Sequence, residues 1–163
     1  MGWTYMPMPH EGTTEWFKKQ LTWTSESGAI HRPLATAIVE RKEAYAAVET
    51  VHPDGRREVW AAVFLLHYQP RDRDGYTFGY KDMDETVGPN ADRCPAKILD
   101  MLTPTDREYA IAWRERCRAR LARRESNKVS NGDIIKLEHA LNYGGYGPAD
   151  TFRVMVEGRR VIF

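Results

Sequence analysis

The feature that most constrains the fold is an uninterrupted apolar run over residues 60–66. A short apolar run bounded by turn signals predicts a strand that is buried on both faces of a sheet. Before it stands His52-Pro53-Asp54-Gly55, whose Asp-Gly dipeptide is a strong β-hairpin signal. The surrounding β-rich stretches predict an antiparallel meander with strands at 34–40, 44–51, 58–69 and 76–84. The stretch at 44–51 alternates in polarity, which predicts a less buried strand than its neighbour.

A helical pattern follows the predicted sheet. Large side chains recur at every fourth position, namely Tyr109, Trp113, Cys117 and Leu121. This spacing predicts the buried stripe of one long helix over 104–125, with Thr103 or Thr105 as its cap, packed on the meander. A polar break over 126–132 predicts a domain boundary. The fold class is therefore α+β, with a main domain at 1–125 and a small β-hairpin or partial-barrel appendage at 126–163.

Length and charge narrow the class of protein. A chain of 163 residues suits one ordinary domain, or one domain with a small appendage. The net charge of +1 supplies no general attraction to nucleic acid or to an anionic membrane. No apolar run approaches the ~20 residues that span a bilayer, and residues 1–10 lack a secretion signal, so no membrane partner is predicted. Cys94 and Cys117 lack metal-ligand spacing, which predicts free thiols, no cofactor and a cytoplasmic location.

Aromatic rings and short carboxylates are concentrated in residues 75–95, between the sheet-like half and the helical half. If residues 76–85 are extended, alternation puts Asp82 and Asp84 on one face, roughly 7 Å apart, together with Tyr76 and Tyr80. Two such carboxylates either share a proton, a divalent ion or a cationic ligand, or are simply solvated at the end of a strand. The candidate binding residues of this segment are Tyr76, Tyr80, Lys81, Asp82, Asp84 and Glu85.

A histidine near this segment supports an enzyme as one alternative. His67 ends the apolar strand, and a His–carboxylate pair with the next strand would support general-base chemistry. The candidate catalytic residues would then be His67, Asp82, Asp84 and Glu85, acting with a divalent ion or a nucleotide. Cys94, at the start of a helix, is either a nucleophile activated by His67 or a packed thiol. None of the five histidines has zinc-motif spacing, so no metal site is predicted.

The predicted helix is rich in arginine. Guanidinium groups fit phosphate oxygens, so a nucleic-acid interface is a second alternative to simple solvation of a charged helix face. The residues singled out for binding are Arg116, Arg120, Arg123 and Arg124, and those singled out for nucleic acid are Arg114, Arg118, Arg120 and Arg124. The chain ends within a strand pattern at Val161-Ile162-Phe163, which predicts either truncation or a homo-oligomer formed through this strand.

Several segments together resemble a known but uncharacterised family. They are Met1-Gly-Trp, Gly79-Tyr-Lys-Asp-Met-Asp-Glu85, Cys94-Pro95, Leu102-Thr-Pro104 and Asp150-Thr-Phe-Arg153. In these the chain resembles, over most of its length, a bacterial domain family found in proteobacterial genomes, plasmids and phages. That family has no assigned activity, so the resemblance carries over no catalytic residue. It implies an origin in a mobile element, a C-terminal unit that continues past Phe163, and a role in handling nucleic acid or countering host defence.

These observations favour a non-enzymatic binding protein of a mobile genetic element. It would dock on a protein or nucleoprotein complex and could inhibit a host defence system of the CRISPR or restriction type. The aromatic, acidic and arginine side chains are typical of recognition surfaces. The small enzyme and the nucleic-acid-binding protein remain the two alternatives.

Overall fold

A six-stranded antiparallel sheet organises the N-terminal part of the chain. The computed structural model describes residues 2–69, 75–142 and 147–157, and the backbone of 160–162. The strands are β1 (Thr4–Met6), β2 (Trp23–Thr24), β3 (Ile30–Val39), β4 (Glu43–Val51), β5 (Arg57–Tyr68) and β6 (Phe78–Asp84). Their spatial order is β1-β6-β5-β4-β3-β2, so β3 to β6 are neighbours in chain order. The predicted α+β class and the antiparallel meander are confirmed.

The two central strands are buried on both faces. In β5, Ala62 and Phe64 enter one core while Ala61 and Val63 enter the other, as the apolar run predicts. The prediction that the strand at 44–51 is less buried is wrong, because every residue from 44 to 50 in β4 is buried. The reason is that β4 is paired on both sides, by β3 and β5, and contributes side chains to both cores.

Helix α1 (Thr13–Gln20) covers one face of the sheet. Its buried residues, Trp16 and Phe17, pack their rings edge-on against Phe64, and Trp16 also meets Phe78. The helix is preceded by Gly12 with a φ of 83°, a left-handed conformation that glycine adopts readily. We call the face that α1 covers the α1 face of the sheet.

The other face is covered by α2 (Ala96–Leu99) and α3 (Glu108–Ser126). Trp113 and Cys117 of α3 are fully buried in this second core, and Trp113 Nε1 donates a 2.7 Å hydrogen bond to the Ala91 carbonyl. The helix has 19 residues and begins at Glu108, later than the predicted start at 104. Tyr109 therefore falls in its first turn and is 66% exposed, so its prediction as a buried residue is wrong.

Helix α3 starts later than predicted because the hydroxyls of the two predicted cap residues, Thr103 and Thr105, bond other groups. The Thr103 hydroxyl accepts from the Val59 N–H and donates to the Val59 carbonyl, with distances of 3.2 and 3.1 Å. The Thr105 hydroxyl accepts from the Arg107 N–H, one residue before the helix. Residues 103–107 therefore lie outside the helix, with Thr103 bonded to the sheet.

The chain divides into two units, Met1–Ala122 and Arg123–Phe163. The second contains β7 (Ile134–Asn142) paired with β8 (Pro148–Arg153), and β9 (Met155–Glu157) paired with β10 (Arg160–Ile162). Its buried residue Val154 exchanges backbone hydrogen bonds with Gly132 and Asp133. Residues 70–74, 143–146 and 158–159 lie outside the described residues, as does Phe163.

Candidate functional site

The register between β5 and β6 decides which face each predicted site residue occupies. Asp82 lies opposite Phe64 and Asp84 opposite Ala62, and residues directly opposite in an antiparallel pair share a face. Phe64 and Ala62 belong to the core under α1. Both carboxylates therefore lie at the α1 face, together with the half-buried Tyr80, as alternation along β6 predicts.

His67 lies on the opposite face of the sheet. It follows Leu66, which belongs to the core under α1, so alternation turns His67 away from that core. Its ring lies edge-on to Trp3 and Tyr5, with centroid distances of 5.8 and 6.2 Å. This arrangement contradicts the predicted pairing of His67 with the carboxylates of β6.

Glu85 also leaves the predicted acidic cluster, because its side chain is only 2% exposed and is paired internally. Its Oε2 accepts a 2.5 Å hydrogen bond from Arg114 Nε, and its Oε1 a 2.7 Å bond from Arg114 Nη2. The Ala61 N–H also donates to Oε1, at 3.1 Å. Arg114 Nη1 donates to the Thr103 carbonyl, at 2.6 Å. Both side chains are thus occupied within the fold, which corrects the predictions of Glu85 as a catalytic residue and Arg114 as a phosphate ligand.

The burial of Glu85 follows from unequal strand lengths. The ladder between β5 and β6 ends at the pair Ala62–Asp84, whereas β5 begins at Arg57. The backbone groups of Ala61 and Val59 on this side therefore have no β6 partner, and an unpaired buried backbone group is costly. The Glu85 carboxylate accepts from Ala61, and Thr103 bonds both polar groups of Val59. The ion pair and the threonine together replace the missing length of β6.

A pocket of about 300 Å³ opens on the α1 face beside Asp82 and Asp84. Its wall is mostly aromatic and apolar, with Trp23, Trp60 and Phe64 as the rings. We call it the aromatic pocket, and its full lining is Gln20, Leu21, Trp23, Trp60, Ala62, Phe64, Asp82, Met83, Asp84 and Val87.

The walls of the aromatic pocket are fixed by a hydrogen-bonded chain. Trp60 Nε1 donates to the Thr50 hydroxyl at 2.9 Å, and that hydroxyl lies 3.0 Å from His31 Nδ1. Trp23 stacks on His31 with a centroid distance of 4.1 Å and an interplanar angle of 10°. Burial lowers the pKa of His31, which keeps its ring neutral at physiological pH. Both indole rings are therefore held in position without a ligand.

The two acids differ in how far the protein already uses them. Asp84 Oδ1 accepts from the Thr86 N–H at 2.7 Å and caps a short 3-10 turn, Glu85–Val87. Asp82 is exposed, and within the described part of the chain its carboxylate has no hydrogen bond or ion pair. Asp82 and the second oxygen of Asp84 are thus available beside the aromatic pocket.

A larger cleft of about 700 Å³ lies where β6 ends, above the Glu85–Arg114 pair. Its remaining charged side chains have mixed sign: Glu58, Asp106 and Arg107. Glu58 Oε1 is 3.0 Å from His52 Nε2 and so already has a partner. Mixed charges and occupied groups give this cleft no single ligand preference.

The other predicted binding residues are dispersed. Tyr76 is exposed and precedes β6, and Lys81 is half-buried opposite Leu65, turned from Asp82 by strand alternation. Arg116 donates to the Pro89 carbonyl at 2.9 Å, and Arg120 pairs with Asp92 at 3.1 Å. The remaining arginines singled out from the sequence are exposed: Arg118, Arg123 and Arg124.

The thiols are packed groups. Cys94 and Cys117 are free and fully buried in the second core. Burial raises the pKa of Cys94 far above its usual range and that of Cys117 to about 11. A protonated, enclosed thiol is a poor nucleophile, which favours the packed reading of Cys94.

Two residues of the aromatic pocket, Trp60 and Trp23, were not predicted as site residues from the sequence. Trp60 shares the alternation of Ala62 and Phe64, so its face could have been derived from the strand pattern. Trp23 stands in a strand of only two residues and carries no periodic signal. In the described ranges, no three His, Cys, Asp or Glu side chains are grouped as metal ligands.

In a comparison with known proteins, the C-terminal part of the chain is similar to a family of unknown function. Residues 104–163 match a domain of unknown function, DUF6927. This confirms, for those residues, the predicted likeness to an uncharacterised domain family, whereas the segment 79–85 lies before the match. Curated proteins and solved structures gave no match to the chain. Within the described residues, no helix combines the length and apolarity needed to cross a bilayer.

Proposed function

We propose that the chain is a non-enzymatic binding protein that docks on a protein partner through the aromatic pocket and its two carboxylates. The single observation that carries this proposal is the position of Asp82 and Asp84 beside two exposed or half-exposed indole rings, rather than in a group of ligands or catalytic bases. Aromatic side chains that are accessible to a partner and rimmed by charge are typical of protein recognition sites.

The enzyme alternative is less well supported by the geometry. His67 and the two aspartates occupy opposite faces of the sheet, and Glu85 is occupied by Arg114. Two of the arginines on which nucleic-acid binding would depend already have acidic partners: Arg114 pairs with Glu85, and Arg120 pairs with Asp92. No observation favours either alternative over protein docking.

The resemblance to a family of mobile elements suggests the kind of partner. We propose a protein component of a bacterial defence complex, of the CRISPR or restriction type, which the chain would inhibit by occupying a binding surface. Action in the reducing cytoplasm is consistent with two free thiols. An acidic surface suits such a target, since proteins that bind nucleic acid carry basic patches.

Site-directed photo-crosslinking in a proteobacterial lysate tests the proposal. A photoreactive residue at Gln20, on the rim of the aromatic pocket, should capture a discrete partner, and one at the exposed Lys97 on the other face should not. Capture should be lost in the Asp82→Asn/Asp84→Asn double variant and kept in Asp100→Asn, which removes an exposed carboxylate elsewhere. Equal capture by all four proteins would contradict docking at this site.

A further inference from the structure

The aromatic pocket combines three properties that select a particular ligand chemistry. Its walls are indole and phenyl rings, its rim carries two carboxylates, and no basic residue is found among the described residues that line it. A cation over an aromatic face is attracted by the negative ring face, most strongly over Trp. Uncompensated carboxylates add direct charge complementarity at the same opening.

We infer that the aromatic pocket receives an arginine side chain of the partner, an inference that rests on the proposed function. The cavity volume of about 300 Å³ accommodates one long side chain, not a folded element. The apolar part of the lining, including Leu21 and Val87, suits the methylene stem of the side chain, and the rings suit its head.

Arginine fits this geometry better than lysine. A guanidinium is planar and stacks on an indole while its N–H groups stay free to bond in the ring plane. Asp82 and Asp84 are two positions apart on one strand, so their Cα atoms are roughly 7 Å apart and their side chains leave from the same face, from which they can approach one guanidinium from two sides. An ammonium group is a compact, strongly hydrated charge that gains less from a stacking wall.

The two indole walls of the aromatic pocket are preformed. The bond from Trp60 to Thr50 and the stack of Trp23 on His31 fix both indoles, so little side-chain ordering accompanies binding. The cap that Asp84 supplies to Thr86 orients its carboxylate in the same way. The ligand therefore meets preformed walls and a preformed charge.

The test is a titration of the full chain with Nα-acetyl-L-arginine methylamide, followed by NMR signals of the tryptophan indole N–H groups. The signals of Trp23 and Trp60 should shift saturably in the millimolar range, as expected for a fragment-sized ligand. The citrulline counterpart has the same shape without charge and should bind at least about tenfold more weakly. The lysine counterpart should also bind more weakly than arginine.

Matched variants separate the pocket from general effects. Asp82→Asn and Trp23→Ala should each weaken binding about tenfold or more. Asp100→Asn and Trp3→Ala remove an equivalent charge and an exposed ring outside the pocket and should leave binding unchanged. If Trp23→Ala does not fold, the Asp82→Asn variant by itself tests the arginine site. The Asp82 carboxylate has no partner among the described residues, so this substitution should leave the fold intact.

The outcomes distinguish this inference from the proposed function. Equal binding of arginine and citrulline, stronger binding of lysine, or shifts that persist in Asp82→Asn would overturn the arginine site. Crosslinking at Gln20 that depends on the aspartates would still support protein docking in that case. Saturable arginine binding that depends on Asp82 and Trp23 supports the inference, whether or not a given lysate contains the partner.

Discussion

Glu85 and Arg114 form an ion pair in which both side chains are nearly inaccessible, with 2% and 9% of each side chain exposed. Every oxygen of the carboxylate is bonded, and the guanidinium also bonds a backbone carbonyl. Removal of one partner from such a pair leaves a buried charge without compensation, whereas replacement of both can be nearly neutral. We therefore expect the fold to tolerate the loss or replacement of both partners together far better than the loss of one of them.

We expect Arg114→Met to lower the free energy of unfolding by about 3–5 kcal/mol, because Glu85 would remain buried without its cation. The double variant Arg114→Met/Glu85→Gln should recover a substantial part of that loss. Urea denaturation of the single and double variants measures both effects. Lys18→Met, which breaks the exposed pair with Glu15, is the control and should cost less than about 1 kcal/mol. A loss of that small size for Arg114→Met would contradict the role of the pair.

We expect the two buried thiols to make the stability of the protein sensitive to alkaline pH. Burial raises the pKa of Cys117 to about 11, above the ~8.5 of a thiol in the unfolded chain. The folded state holds the thiol proton of Cys117 more tightly than the unfolded chain does. The contribution of this thiol to the free energy of unfolding is therefore fully present below pH ~8.5 and is lost as pH rises toward 11. The raised pKa of Cys94 acts in the same direction.

The free energy of unfolding should accordingly fall between pH ~8.5 and ~10, by up to about 1.4 kcal/mol per pH unit for each thiol. Denaturation at several pH values in this window measures the slope. In the Cys94→Ala/Cys117→Ala variant, the free energy of unfolding should depend less steeply on pH in this window. Burial also raises the pKa of Tyr45, but this side chain contributes little to the slope below pH ~10. Parallel curves for the two proteins would exclude the thiols as the cause.

At the scale of elements, strand periodicity predicted the sheet well. The run at 60–66 gave the central strand, and alternation gave the face of Asp82 and Asp84. At Glu85 the chain leaves β6 and enters a 3-10 turn, so the burial of this side chain and its pairing with Arg114 could not be derived from the strand pattern. No local sequence pattern predicts that β6 ends before the neighbouring strand β5 does.

Helix α3 was only partly predictable. Trp113 and Cys117 follow the expected stripe, but Ala110 and Arg114 complete it, and an arginine in a stripe is normally taken as surface. The positions 110, 113, 114 and 117 have the i, i+3, i+4, i+7 spacing of a buried face, which is a signal for Arg114. Its acid partner lies 29 positions earlier in the chain, so the pairing itself could not be derived locally.

The edge strand β1 is held by a close approach at Gly79. A methyl group at that position would lie 2.6 Å from Cε1 of Tyr5, which faces it across the strand pair. Gly79→Ala should therefore displace the Tyr5 ring, lower the free energy of unfolding by about 1–3 kcal/mol and reduce hydrogen-exchange protection in β1. In a Tyr5→Ala background the same substitution should cost clearly less. An equal cost in both backgrounds would mean that the ring is not what opposes the methyl group.

At the scale of the molecule, both hydrophobic cores come from residues that precede Arg123. The sheet carries one core under α1 and the other under α2 and α3, so each of its faces is covered within the first unit. The second unit has its own strand pairs and its own buried residue, Val154. The sequence predicted a boundary from the polar composition of 126–132, and strand alternation grouped the core residues of the sheet, but it did not specify which face of the sheet each helix covers.

We expect a fragment that ends after Ser126, the last residue of α3, to fold and unfold cooperatively. Its near-UV circular dichroism should retain the signal of the buried Trp113 and Tyr45, and the arginine derivative should bind it as it binds the full chain. A control that ends after Asp106 removes α3 and should not fold, because it loses Trp113, Cys117 and Arg114. Failure of the longer fragment to unfold cooperatively would show that the first unit depends on the second.

The early end of β6 has an evolutionary consequence. Of the backbone groups that β6 leaves open, the Ala61 N–H is bonded by Glu85, and that acid is neutralised by Arg114 on a helix far along the chain. We expect a mutation at either position alone to destabilise the protein, so the two residues should change together or not at all. An alignment of homologous sequences should thus show Glu85 together with Arg114, or an uncharged pair at both positions, or a β6 long enough to make the pair unnecessary.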